Sequence, residues 1–175
     1  MSPFIIGVDP SKLTGLAVVE PTTRTVTRFS TLEVEDSWQA GPASARAIYR
    51  QAVDLAIAHG DAPIAVEMPF GNRTGNLGSY GAQMLLVGGL LALLTDAGYA
   101  HVRVTPQEAK LALTGDHYAK KPAVVAAACA LLGAQLLGHY RKLEREAMAD
   151  AIAVALSGAA KLAKAARAPQ KGVAA

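Results

Sequence analysis

The stretch Phe4-Ile5-Ile6-Gly7-Val8-Asp9-Pro10-Ser11 decides how the chain is to be read. An unbroken apolar run that ends on an acid and a proline is the pattern of a short buried strand. Asp9 then falls at the strand's carboxyl end. A second run, Ile64-Ala65-Val66, ends in the same way on Glu67. Far along the chain, Glu146 and Asp150 stand i,i+4 in a helical pattern, which puts them on one helix face. In α/β proteins, groups at the carboxyl ends of adjacent parallel strands converge on one crevice. Carboxylates gathered there repel one another unless a cation lies between them. Hard oxygen donors of this kind suit Mg²⁺ or Mn²⁺. A single acid after a strand is more often a turn or cap residue. Two strand-end acids and a helical pair together favour a site.

Outward from these runs, strand and helix patterns alternate. Phe4–Asp9, Gly15–Glu20 and Thr25–Leu32 read as three strands in an antiparallel meander, with a turn at Pro21-Thr22-Thr23-Arg24. Gly41-Pro42 opens a helix over Ala43–His59. Pro63–Glu67 is a short buried strand, and the Gly- and Asn-rich Phe70–Ser79 is a loop. Tyr80–Ala97 is a long apolar helix closed by Gly98. His101–Val104 is the fifth strand. Thr105-Pro106 fits a cap and first turn for a helix over Gln107–Leu113. Helices over Pro122–Leu132 and Leu143–Ala166 follow, the last carrying Glu146 and Asp150. The pattern implies a single α/β domain over residues 1–167 and a disordered basic tail over 168–175.

Composition narrows the class. A chain of 175 residues, 51% hydrophobic, can bury one good core. The lone cysteine, Cys129, excludes an internal disulfide framework and fits a reducing compartment. No signal peptide is visible at the start, so a cytoplasmic location is expected. The Leu-rich Met84–Leu94 contains Gly88 and Gly89 and is short for a membrane span, so a core helix or subunit interface is expected. Charge is unevenly placed. Residues 1–100 hold 6 Lys+Arg and 9 Asp+Glu, while residues 101–175 hold 11 and 5. A basic half with pI near 9.1 suits a polyanionic partner, although a solvated Lys-rich surface has the same balance.

Four segments resemble one family. Gly7-Val8-Asp9-Pro10-Ser11 with Thr14-Gly15 is similar to the first strand and turn of the RuvC-type Holliday-junction resolvases. Glu67-Met68-Pro69-Phe70 resembles their second acidic segment. Thr105-Pro106-Gln107-Glu108-Ala109-Lys110, Thr114-Gly115 and Lys120-Lys121 resemble their basic DNA-facing stretch. Asp150 with the Ala-rich residues after it resembles their final acidic helix. The segments keep the family's order and spacing over nearly the whole chain. The resemblance implies an RNase H-like fold: a five-stranded mixed sheet, three antiparallel strands first, with helices on both faces. One departure stands out. The family commonly spaces its last two acids three residues apart, but Ala147 occupies that position here. Glu146, four before Asp150, faces nearly the same way and is the expected substitute. Otherwise it is a solvent-facing acid beside Lys142 or Arg145.

The resemblance implies a structure-specific endodeoxyribonuclease that nicks four-way DNA junctions symmetrically in recombination and repair. Asp9, Glu67, Glu146 and Asp150 are then the catalytic and metal-ligating set, holding two Mg²⁺ ions, with Mn²⁺ a possible substitute. Two such ions roughly 4 Å apart serve in-line phosphodiester hydrolysis and leave 5′-phosphate and 3′-hydroxyl ends. Lys110, Lys120, Lys121, Lys12 and Arg73 are the expected phosphate contacts. Phe70, an aromatic in a Gly/Asn loop, is expected to stack on an unpaired base. Two cuts per junction call for a homodimer, and the Tyr80–Ala97 helix is the candidate interface. Competing readings are another RNase H-like nuclease acting on branched DNA or structured RNA, a sugar-kinase-type ATPase, and a non-catalytic junction-binding protein. The ATPase needs two domains, for which 175 residues leave no room.

Overall fold

In the computed structural model, residues 2–35, 37, 39–69, 77–132 and 139–167 are described. Five strands form one sheet: β1 (Ile5–Asp9), β2 (Leu13–Glu20), β3 (Thr25–Glu33), β4 (Ile64–Glu67) and β5 (His101–Val104). Their spatial order is β3-β2-β1-β4-β5, so β1 lies at the centre. β1, β2 and β3 run antiparallel, with a register shift at Val18/Val19. β4 and β5 pair parallel on the other side of β1, as the alternating pattern implied.

Period-two alternation divides the sheet's residues between two layers of helix. Ile6, Val8, Leu16, Val18, Ile64 and Val66 face α1 (Gly41–Ala58) and α2 (Leu77–Asp96). Ile5, Ala17, Val19 and Ala65 face α3 (Pro106–Thr114), α4 (Lys121–Leu132) and α5 (Lys142–Arg167). By the same alternation, Gly7 and Asp9 share the α5 side with Ile5, and Glu67 shares it with Ala65.

The α5 layer owes its closeness to glycine. A Cβ on Gly7 would stand 2.0 Å from the Ala151 carbonyl oxygen, and one on Gly15 would stand 2.0 Å from that of Ala147. At the far end of the contact, a Cβ on Gly158 would meet the Ala65 Cβ at 2.4 Å. The helix backbone therefore rests directly on the strands, without side chains between. The run Ala147–Gly158 on α5 is wholly buried apart from Asp150, which looks out at the sheet's end.

Several element boundaries differ from the sequence pattern by one to three residues, and two of them have a clear cause. α2 starts at Leu77, within the stretch read as loop. Gly78 and Ser79 are poor helix formers, but the buried face from Ala82 through Leu86 and Leu90 carries the helix back past them. β2 starts at Leu13 because Leu13 and Thr14 pair with Glu33 and Leu32. Among the described residues, α2 is the one helix long and apolar enough to cross a membrane. Here its Leu86, Val87, Leu90 and Leu94 pack into the core with α1, while Tyr80, Met84 and Leu85 are exposed. The tail expected to be disordered, 168–175, lies outside the described residues.

Two glycine substitutions should act oppositely. Gly7→Ala drives a methyl into the α5 backbone, and overpacking of this kind costs about 1–3 kcal/mol. Gly88→Ala on α2 meets nothing within 4 Å and should stabilise by up to about 1 kcal/mol through helix propensity. Denaturant unfolding checks both. Equal shifts in the two variants would show that the α5 contact has slack.

Candidate active site

Parallel pairing of Val8 with Val66 brings the ends of β1 and β4 side by side. Asp9 and Glu67, one residue further on each strand, bring their carboxyl groups close enough to shift each other's proton affinity. Asp150 reaches them from above because its neighbour Ala151 sits on Gly7. Its side chain is 19% exposed and ion-paired with the Lys121 ammonium at the start of α4. Three carboxylates from distant parts of the sequence thus meet at one end of the sheet.

Their environment resists so much negative charge. Burial pushes Glu67 up to about 10, reinforced by the charges of Asp9 and Asp150 and by the hydrogen bond to Asp9. Burial and the Asp150 charge push Asp9 up to about 6, against the pull of Lys121 and of the Glu67 hydrogen bond. With no metal bound, burial beside Asp9 and Asp150 therefore favours the protonated form of Glu67. Asp150 is also raised by burial, with Lys121 opposing. Lys121 is raised despite its own burial, because Asp150, Asp9 and Glu146 favour the ammonium. This is the expected behaviour of carboxylates crowded in a low-dielectric pocket.

Two clefts open on either side of the Lys121–Asp150 pair, and both are lined by Asp9 and Ser11. One, of about 700 Å³, contains Glu67 together with Lys110, Lys120, His117 and Tyr118. The other, of about 670 Å³, contains Glu146 together with Lys12, Arg141 and Lys142. Of the residues expected from sequence, Asp9, Glu67, Asp150, Lys110, Lys120 and Lys121 share the first cleft. Asp9, Asp150 and Lys121 line the second cleft as well, together with Glu146 and Lys12. Glu146 is 23% exposed, and its nearest cation is Lys142 Nζ at 4.0 Å. Phe70 and Arg73 lie outside the described residues.

Lys110 is held in place by the construction of α3. Thr105 Oγ1 accepts from the Glu108 amide at 3.3 Å, and Glu108 Oε2 accepts from the Thr105 amide at 2.8 Å. This reciprocal cap satisfies two otherwise orphaned donors. Lys161 of α5 donates to both Glu108 carboxylate oxygens, at 2.8 and 2.9 Å. At the other end, Gly115 closes the helix at φ 81°, and Arg24 donates to the Ala112 and Leu113 carbonyls at 3.4 Å.

Sequence reasoning missed Ser11, Gln83 and Glu33. Ser11 lines both clefts, Glu33 the second, and Gln83 the first. Gln83 Nε2 also reaches the Pro10 carbonyl at 3.5 Å. Ser11 could have been found, since it stands two residues after Asp9 in the opening turn. Nothing local marks Gln83, whose position depends on how α2 crosses the sheet.

The donor chemistry fits a divalent cation. Asp9, Glu67 and Asp150 offer hard oxygens, and among the described residues the Lys121 ammonium on Asp150 is the one cation paired with them. Among the described residues, no three such groups are yet drawn into one coordination shell.

The strand order, the acids ending β1 and β4 and a third acid on the closing helix define the RNase H-like class. Solved structures agree. Thermus thermophilus RuvC matches with TM-score 0.66 and 23% identity, covering 91% of this chain and 96% of that one. The same organism's RuvC in complex with a Holliday junction substrate matches at 0.65 and 24%, covering 91% and 95%. The yeast mitochondrial Holliday junction resolvase Ydc2 matches at 0.61 and 12%, covering 87% and 76%. At these identities the likeness carries the fold. No curated protein matches the sequence. The model of the family of crossover junction endodeoxyribonuclease RuvC matches residues 5–158. The chain belongs to the RuvC family, whose nucleases depend on divalent metal.

A pH experiment follows from the raised carboxylates. The folded, metal-free chain binds more protons than the unfolded chain wherever a folded pKa exceeds the unfolded one. Its stability must therefore fall as pH rises from the ordinary carboxylate range toward about 10 for Glu67 and about 6 for Asp9. Thermal melting in EDTA from pH 6 to 9 should show the decline. Glu67→Gln, which keeps a donor toward Asp9, should flatten it and melt higher at pH 9. Parallel curves for the two proteins would mean that Glu67 is ionised in the fold.

Proposed function

We propose that this protein is a Holliday-junction resolving endonuclease that makes two symmetric, metal-dependent nicks and leaves 5′-phosphate and 3′-hydroxyl ends. The observation that carries the reading is the meeting of Asp9, Glu67 and Asp150 in a cleft rimmed by Lys110, Lys120 and Lys121. RuvC family membership supports it, as does the solved complex of the Thermus thermophilus relative with its junction substrate.

Asp9, Glu67, Asp150 and Glu146 would hold two Mg²⁺ ions, with Mn²⁺ able to substitute. When bound, they neutralise the phosphoryl oxygens and lower the pKa of an attacking water. The chain's own residues do the rest. Lys110 and Lys120 hold phosphates in the first cleft, and Lys12 does so in the second. Lys121, once drawn from Asp150, offers its ammonium to the phosphate at the site. Phe70 is proposed to stack on an unpaired base and Arg73 to contact backbone. Cutting both strands needs two active sites. The exposed Tyr80, Met84 and Leu85 of α2 are the proposed face for a homodimer. The catalytic unit is proposed to be residues 1–167 as one domain, acting at the nucleoid in the cytoplasm.

The test uses synthetic four-way, Y-shaped and linear DNA with Mg²⁺ or EDTA. Paired nicks in the four-way junction, dependent on Mg²⁺, are expected. Equal cutting of structured RNA, or binding without cutting, would reject the reading. Asp9→Asn and Asp150→Asn should abolish nicking and still bind junctions, because each removes a metal ligand and no phosphate contact. Glu146→Gln should lower the rate by orders of magnitude. An unchanged rate would show that the three carboxylates of the first cleft suffice.

A further inference from the structure

A third depression, of about 400 Å³, lies between α4 and α5 beside the catalytic clefts. Its floor is apolar: Pro122, Val125 and Ala126. Its wall carries Lys142, Arg145 and Glu146, and Lys121 stands at the edge it shares with the catalytic clefts. Arg145 is the unusual member. Its Nε is shut off from solvent and has no hydrogen-bond partner. Among the described residues the other cations lining this depression, and Arg141 beside it, have acids of their own. Lys121 pairs with Asp150, Arg141 with Glu144, and Lys142 approaches Glu146. Arg145 takes part in no such pair.

A buried donor on a charged group without a partner is disfavoured by more than an ordinary lost hydrogen bond. The Nε is closed to a ligand as it is to water, so it holds the guanidinium in place without binding anything, and an oxyanion would be gripped at two points by the Nη groups, which have no ion pair of their own. Glu146 is the one acid on the wall. It is engaged from one side by Lys142, so the depression keeps a net positive charge.

We infer that this depression is a phosphate subsite, in which Arg145 and Lys142 take a backbone phosphate of the cleaved strand beyond the scissile one. The inference rests on the nuclease reading above and adds the direction in which the strand leaves. The depression shares Lys121, Lys142 and Glu146 with the cleft that holds Asp9. A strand with one phosphate at the carboxylates can therefore continue over α5 to Arg145. The apolar floor suits the sugar between the two phosphates.

The test measures binding of a four-way junction in EDTA, where no cutting occurs, across a range of salt. Arg145→Met keeps the aliphatic stem and removes the charge. It should fold as the wild type does, bind roughly threefold to tenfold more weakly, and lower the slope of log K against log salt by about 0.9. Single neutral methylphosphonates are then walked along the cleaved strand. One position beyond the scissile phosphate should weaken the wild type and leave Arg145→Met unaffected. Should Arg145→Met fail to fold, Arg145→Lys replaces it, keeping charge and losing the two-point grip. The same methylphosphonate should then weaken it less than the wild type. A wild type that binds junctions, with variants equally sensitive at every position, would overturn the subsite alone. A wild type with no affinity for junctions would overturn the nuclease reading and the subsite with it.

Discussion

The contact of the α5 backbone with Gly7 and Gly15 governs the site. Side chains normally stand between a helix and the sheet it covers. Here the carbonyls of Ala151 and Ala147 lie where glycine Cβ atoms would be. The helix axis is lowered onto the central strand, and Asp150 comes into reach of two strand-end acids. Small residues on both partners are needed. Ala147, Ala149, Ala151, Ala153 and Ala155 on α5 are all buried. The alanine-rich look of this helix is a packing requirement rather than low complexity.

The close approach creates an electrostatic problem. Asp9, Glu67 and Asp150 cannot all ionise cheaply in a partly buried space. The chain answers by raising the proton affinity of Glu67 and by setting the ammonium of Lys121 on Asp150. Lys121 opens α4, so this neutralisation also ties α4 to α5 across the mouth of the cleft. A site that balances its own charge can fold first and exchange that balance for another later.

Much of the fold was legible in the sequence because its signals are local. Unbroken apolar runs marked β1 and β4. Thr105-Pro106 with Glu108 marked the start of α3. The i,i+4 spacing of Glu146 and Asp150 put them on one helix. What was illegible depends on tertiary arrangement. Gly7 and Gly15 were visible, but their role follows from which residues of α5 lie above them. Glu146 shares a helix face with Asp150 and lines one of the two clefts that Asp9 and Asp150 line, but Glu67 lines the other, which helical spacing alone could not tell. The side-chain partners of Lys121 and the isolation of Arg145 come from elements more than twenty residues away, beyond any periodicity argument. The start of α2 was misplaced because Gly and Ser propensities were outweighed by burial downstream.

The Lys161–Glu108 bond has a mechanical meaning. Lys161 stands about three helical turns beyond Asp150 on α5, and Glu108 is the residue that caps α3. One rod therefore carries an acid of the reactive centre at one station and fixes the Lys110-bearing helix at another. Any tilt or slide of α5 moves both together. The spacing between Asp150 and Lys110 is preserved, so the cleft behaves as a caliper with one jaw setting. Any widening of the cleft must then come from elements not fastened to this rod, on the α2 side, where Gln83 lines the opening.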